Sequence, residues 1–145
     1  MKICIVLANY YPKISKDLLF GATKVLKLYG IKKTNKILVP GIFEVPVVIS
    51  RNINTYDGFI ALGCVIKGKT PHFNIISKSA VNALMYLSIK HKKPIGNGII
   101  TCLNKEQAFQ RSNPDKKNKG GEAARALLSV LGVVDEKSKW SSWKS

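Results

Sequence analysis

A loop rich in cationic side chains and backbone donors runs from Lys67 to Thr70. It follows an apolar run and leads into a predicted helix with Pro71 at its first position, where a missing N–H costs nothing. Free backbone N–H groups, a hydroxyl and two ammonium groups at one helix start favour an anion such as phosphate. The same pattern is equally consistent with Thr70 acting only as a helix cap beside solvated lysines. The spacing matches neither a P-loop nor a dinucleotide-binding motif, so ATP and NAD are not predicted ligands.

His72 follows this loop in the first turn of the same helix. Histidine is the side chain most often used for proton transfer to a bound substrate, although a single histidine is more often structural. His91, the second histidine, lies at the basic end of the helix and is expected to be an exposed capping residue. Two histidines without a cysteine or carboxylate at ligand spacing predict no metal site.

Four further side chains could contribute to a site. Glu44, one of only eight acids, begins an apolar segment and is either a charge at a helix start or a ligand anchor. Tyr10 and Tyr11 come directly after the first apolar run, where they could stack on a planar ring or simply pack. Arg111 could bind a phosphate through its guanidinium, but spacing alone would place it on the surface.

These residues lie in the connections between segments that are predicted to be strands and helices in alternation. Short runs rich in Ile and Val predict buried parallel strands, and apolar residues spaced three and four apart predict amphipathic helices. Ser15 is the predicted cap of the first helix, and Pro46 leaves the segment after Phe43 either helical or irregular. The predicted strands are 2–8, 36–39, 59–66 and 98–103, and the predicted helices are 15–29, 71–93, 105–111 and 120–131.

This alternation predicts an α/β protein with a central, mostly parallel sheet of four strands. One domain is expected over residues 1–134, followed by a frayed tail at 135–145. Such sheets bind ligands outside the carboxyl ends of their strands. The segments at those ends are 9–11, 41–44, 67–72 and 103 onward, so a site is expected where they meet.

The net charge of +16 is the most unusual feature of the composition. It is compatible with nucleic acid, an anionic membrane surface or an anionic small substrate. However, 21 of the 24 basic residues are dispersed lysines, which is typical of a solvated surface, so nucleic-acid and membrane partners are not expected. The three cysteines lie in apolar runs, as reduced, buried thiols do, and no run approaches the roughly 20 residues of a membrane span. A cytoplasmic protein is therefore expected.

Four blocks of the sequence resemble lumazine synthases in order and interval: VPGIFEVP, YDGFIALGCVIKGKTPHF, EQAFQR and NKGGEAARALL. The resemblance extends from about Lys2 to Leu131 and implies a flavodoxin-like three-layer sandwich. It also implies a cofactor-free enzyme of riboflavin biosynthesis. Such enzymes condense 5-amino-6-(D-ribitylamino)uracil with 3,4-dihydroxy-2-butanone 4-phosphate to form 6,7-dimethyl-8-ribityllumazine, phosphate and water.

The resemblance assigns roles to individual residues. It makes His72 the proton-transferring residue and places the phosphate substrate on Lys69, Thr70 and Arg111. Lys119 and Glu122 match residues at the rim of the site, without a defined role. The residues implied to bind the ribitylaminouracil are Tyr10, Ile42, Phe43, Glu44, Cys64, Val65, Ile66 and Asn97.

Two features depart from the family pattern. Asn97 stands where an aromatic residue is common, and Asn9-Tyr10-Tyr11 replaces the more usual Arg-Phe-Asn. They favour an alternative reading, a non-catalytic protein that binds flavin or lumazine on the same fold. The family builds its site between neighbouring subunits, which implies a homopentamer. Some members form sixty-subunit capsids. The loop at 111–119 has the same uninserted length as in those members, but Pro114-Asp115 replaces their glycine-rich stretch. The sequence therefore does not decide between a pentamer and a capsid.

Overall fold

A four-stranded sheet forms the centre of the fold in a computed structural model that describes residues 1–134. Its strand order is β2-β1-β3-β4 and every neighbouring pair is parallel, which confirms the predicted sheet. The two central strands are almost wholly buried because helices cover both faces. The strands are β1 (Lys2–Ala8), β2 (Lys33–Val39), β3 (Gly58–Ile66) and β4 (Ile95–Cys102).

Helices form the two outer layers and confirm the flavodoxin-like sandwich. The helices are α1 (Pro12–Leu28), α2 (Val45–Arg51), α3 (His72–His91), α4 (Lys105–Ser112) and α5 (Lys119–Val130). Buried side chains of α1, α4 and α5 pack on one face of the sheet, and those of α2 and α3 on the other. Within residues 1–134, no helix has the length and apolarity required to cross a bilayer. The expected frayed tail at 135–145 lies outside the described residues.

The start of α1 differs from the prediction. The helix begins at Pro12. Proline is tolerated in the first turn of a helix because the backbone N–H that it lacks would have no helical partner there. Ser15 is therefore not the cap. It is buried inside the helix, and its Oγ donates a hydrogen bond of 2.8 Å to the carbonyl oxygen of Ala8. The hydroxyl thus ties α1 to the end of β1.

The two edge strands begin well before their predicted starts. β2 starts at Lys33 and β4 at Ile95, each three residues before the predicted start. In both, the pattern is obscured by polar or glycine residues, but the backbone pairs with a neighbouring strand: Lys33 with Lys2, and Ile95 with Phe59. Sheet pairing therefore determines these boundaries.

The segment after Phe43 is helical. Residues Ile42–Glu44 form one turn of 3-10 helix that leads into α2, and Pro46 lies in the first turn of α2, where it breaks no hydrogen bond. Gly63 of β3 lets this 3-10 turn approach the sheet. A Cβ at Gly63 would collide with Cδ1 of Ile42 and would lie 2.9 Å from Cβ of Ala8.

Candidate active site

A cleft of about 330 Å³ opens at the carboxyl ends of β1 and β3. From β1 the chain crosses to β2 at one edge of the sheet, and from β3 it crosses to β4 at the opposite edge. The cleft between β1 and β3 therefore lies where the strand order reverses. Parallel α/β sheets bind ligands at this place. Nine residues singled out from the sequence line it: Tyr10, Tyr11, Ile42, Phe43, Cys64, Val65, Ile66, Thr70 and His72.

Exposed aromatic rings lie on the rim of this first cleft. Tyr10 is 66% exposed and Phe43 is 73% exposed, so both rings are accessible to a ligand at this rim. The ring of Tyr10 lies 4.9 Å from that of Tyr11 at an angle of 33°. Burial raises the pKa of the Tyr11 phenol, so it stays protonated at neutral pH and can donate a hydrogen bond. These rings suit a planar heterocycle.

The start of α3 forms another side of the first cleft. The backbone N–H of His72 donates to Oγ1 of Thr70 at 3.4 Å, and Pro71 is the capping residue of the helix. Both Thr70 and His72 are exposed. Among the described residues the imidazole of His72 has no hydrogen-bond partner, so both of its nitrogens are available to a ligand. The hydroxyl of Thr70 and the imidazole of His72 thus lie together at the first turn of α3.

Lys69 and Glu44 lie near this cleft without lining it. Lys69 is exposed in the loop before α3. A Cβ at Gly41, which lines the cleft, would lie 3.4 Å from Oε1 of Glu44, so the carboxylate is close to the rim. Glu44 and Phe43 also border an apolar groove of about 470 Å³ between α2 and α3. The rest of that groove is formed by Pro46, Val47, Ile76, Ser79, Ala80 and Ala83.

A second, polar cleft of about 450 Å³ runs along β4 and contains Arg111 and Asn97. Nη1 of Arg111 donates to the carbonyl oxygen of Thr101 at 2.5 Å and contacts Sγ of Cys102 at 3.9 Å. The guanidinium is therefore held at the end of β4, and within residues 1–134 its other N–H groups have no hydrogen-bond partner. Asn97 is exposed, and its Oδ1 accepts a hydrogen bond of 3.1 Å from the backbone N–H of Ile99.

Two thiols lie beside this arginine. The buried Cys64 and Cys102 are free thiols on the ends of β3 and β4. The interaction with Cys102, together with burial, raises the pKa of the Cys64 thiol, whereas the interaction with Cys64 and the positive charge of Arg111 lower the pKa of Cys102. Cys102 is the thiol that the guanidinium contacts.

Sequence reasoning missed several residues of both clefts. Phe73 and Ile76 of α3 line the first cleft, whereas Tyr11, Gly41 and Gly68, which also line it, lie in the strand-end segments that the sequence singled out. Lys117 lines the second cleft with Arg111 and Lys119, and its only signal in the sequence is the lysine cluster at 116–119. Periodicity cannot show which cluster member faces a cleft.

The two clefts share none of the described residues. One is bordered by the start of α3 and the other by α4 and the loop before α5. A single chain therefore does not place His72 and Arg111 in one cleft. Within residues 1–134, no group of three or more His, Cys, Asp or Glu side chains is arranged to hold a metal ion.

The fold and the first cleft define a flavodoxin-like α/β protein with an aromatic cleft at the switch point of its sheet, bordered by the start of a long helix. The family model described as 6,7-dimethyl-8-ribityllumazine synthase matches residues 1–135. The chain belongs to this family, as its sequence motifs predict.

Relatives with this name align along most of the chain. The protein named 6,7-dimethyl-8-ribityllumazine synthase from Bartonella tribocorum is 44% identical over 134 residues, which cover 90% of this chain and 88% of the relative. The protein named 6,7-dimethyl-8-ribityllumazine synthase 1 from Rhodopseudomonas palustris is 44% identical over 140 residues, covering 91% and 85%. The similarly named protein of Afipia carboxidovorans is 39% identical over 145 residues, covering 95% and 88%.

Proposed function

We propose that this chain is an enzyme of riboflavin biosynthesis that condenses 5-amino-6-(D-ribitylamino)uracil with 3,4-dihydroxy-2-butanone 4-phosphate. The products are 6,7-dimethyl-8-ribityllumazine, phosphate and water. Family membership supports this reaction. The structural observation that carries it is the first cleft, which gathers eight of the residues to which the resemblance assigns a role.

The lining of the first cleft suits the ribitylaminouracil. Its pyrimidine ring is placed against the exposed rings of Tyr10 and Phe43, and the backbone at 64–66 supplies hydrogen bonds to the ring edge. Glu44, close to the rim, is placed to bind the ribityl and amine side of the same substrate. Lys69, Thr70 and the N-terminal end of α3 donate hydrogen bonds to the phosphate of the second substrate.

The chemistry requires positioning and proton transfer. An amine of the uracil attacks the ketone and forms an imine with loss of water, phosphate then leaves, and ring closure releases a second water. His72 moves protons to and from the reacting nitrogen and oxygen atoms, because its imidazole is exposed in the cleft and has no protein partner among the described residues. Binding both substrates in one cleft makes the attack effectively intramolecular.

The separation of the two clefts supports a site built by two subunits. Arg111 and Asn97 of one subunit complete the first cleft of its neighbour, in a homopentamer of the kind that the family forms. The apolar groove between α2 and α3 supports this assembly. So does the outer face of α3, where large apolar side chains are exposed: Ile75, Met85, Tyr86 and Ile89. Three free, buried cysteines support a reducing, cytoplasmic location.

Turnover of the two purified substrates tests the proposal. The absorbance and fluorescence of the lumazine should rise faster than in the spontaneous reaction, and His72→Ala should slow the reaction. His91→Ala is the matched control, since His91 lies at the opposite end of α3. A rate equal to that of the spontaneous reaction would refute the proposed enzymatic function. Tight binding of flavin or lumazine without turnover would favour the non-catalytic alternative.

A further inference from the structure

Lys117 contributes an unpaired positive charge to the second cleft. Its exposed side chain lines that cleft beside Arg111 and Lys119. The ammonium of Lys119 lies 3.0 Å from Oε2 of Glu122, which offsets part of its charge. No carboxylate lines the cleft, and within residues 1–134 Lys117 forms no ion pair. Its charge is therefore available to an anion.

The backbone holds Lys117 close to Arg111. The N–H of Lys117 donates to the carbonyl oxygen of Gln110 at 3.0 Å, and Gln110 directly precedes Arg111 in the last turn of α4. The loop is closed further by the N–H of Asn118, which donates to the carbonyl oxygen of Asn113 at 3.1 Å. Lys116 belongs to the same loop but does not line the cleft. The loop thus directs one lysine of the cluster, and not its neighbour, towards the cleft of Arg111.

We propose that Lys117 binds the phosphate group of the butanone phosphate substrate together with Arg111. This inference rests on the proposed function and on the completion of each site by a neighbouring subunit. A phosphate monoester carries nearly two negative charges and three acceptor oxygens, more than one guanidinium satisfies. Arginine supplies a directional fork and lysine a point charge, so the two side chains are complementary ligands of one phosphate. The same pair then holds the phosphate that is released.

Steady-state kinetics of Lys117→Met and Lys116→Met test this assignment. In Lys117→Met, the KM for butanone phosphate should rise about fivefold, as expected for loss of one exposed charge contact. The kcat and the KM for ribitylaminouracil should stay unchanged, and inorganic phosphate should inhibit more weakly by the same factor. Lys117→Arg should restore the wild-type KM. Lys116→Met should behave as the wild type, because it removes an equal charge from the same loop.

Three outcomes would overturn the assignment. The first is an unchanged KM in Lys117→Met, and the second is an equal rise in Lys116→Met, which would indicate a general effect of net charge. The third is loss of the oligomer in sedimentation velocity, which would make Lys117 a subunit contact. Calorimetric binding of inorganic phosphate to the wild type and to Lys117→Met tests the residue without turnover. A wild type that binds phosphate through Lys117 but forms no lumazine would refute the proposed function alone.

Discussion

Two impaired variants should partly restore each other's activity when their subunits are mixed. His72→Ala disables the first cleft and leaves the second intact, whereas Arg111→Met does the reverse. Loss of the charged hydrogen bonds of Arg111, about 1.5–3 kcal/mol, should lower kcat/KM roughly 10- to 150-fold. If each site joins the first cleft of one subunit to the second cleft of the next, a hybrid ring contains sites in which both halves are intact.

The size of the recovery follows from the arrangement. In a random mixture of equal amounts, half of the first clefts and half of the second clefts are intact, so about a quarter of all sites are complete. Recovered activity should therefore peak at equal amounts near a quarter of the wild-type value and fall away on either side.

The assay is the rate of lumazine formation per total chain after co-refolding or co-expression at several ratios. His72→Ala mixed with Thr70→Ala is the control: both changes lie in the first cleft, so no hybrid site is complete and no recovery is expected. Hybrid formation is verified with two different affinity tags. Absence of recovery in verified hybrids of His72→Ala and Arg111→Met would show that the site lies within one chain.

Three further changes test individual parts of the structure. Asn97→Phe should lower the KM for ribitylaminouracil about 2- to 10-fold, because an aromatic contact contributes roughly 0.5–1.5 kcal/mol; an unchanged KM would contradict this role of the position. Gly63→Ala should lower the free energy of unfolding in urea by about 1–3 kcal/mol, and adding Ile42→Val should recover part of it, since Cδ1 of Ile42 is the colliding atom. Burial raises the pKa of the Cys4 thiol from 9.0 to about 11, so the folded chain keeps a proton that the unfolded chain loses above pH 9. Stability should fall by up to ~3 kcal/mol as the pH rises through this interval, and Cys4→Ala should show a smaller fall in urea titrations at matched pH.

The central strands and the long helices could be predicted because their patterns are strong. β1 is a continuous apolar run whose bounds are those predicted from the sequence, and most of β3 is equally apolar. The boundaries that differ lie at the sheet edges. Residues Lys33–Asn35 of β2 are polar, and Gly96 and Asn97 of β4 resemble a turn, yet the backbone hydrogen bonds of a neighbouring strand extend both strands. Pairing partners are distant in sequence, so no local pattern reveals them.

The first cleft could be predicted from the sequence because the ends of parallel strands meet at one edge of a sheet. Its individual roles required the family resemblance, since spacing alone leaves Thr70 a cap and Tyr10 a packing residue. The separation of Arg111 from the first cleft could not be inferred from the spacing of residues or from the order of the strands. The pattern locates the end of β4, but the face of the sheet that α4 covers depends on the packing of Ala108 against α1 and α5. That packing puts Arg111 and His72 in different clefts, so the proposed reaction depends on contact between copies. A substitution that weakens this contact should therefore lower activity before it lowers the stability of the isolated chain.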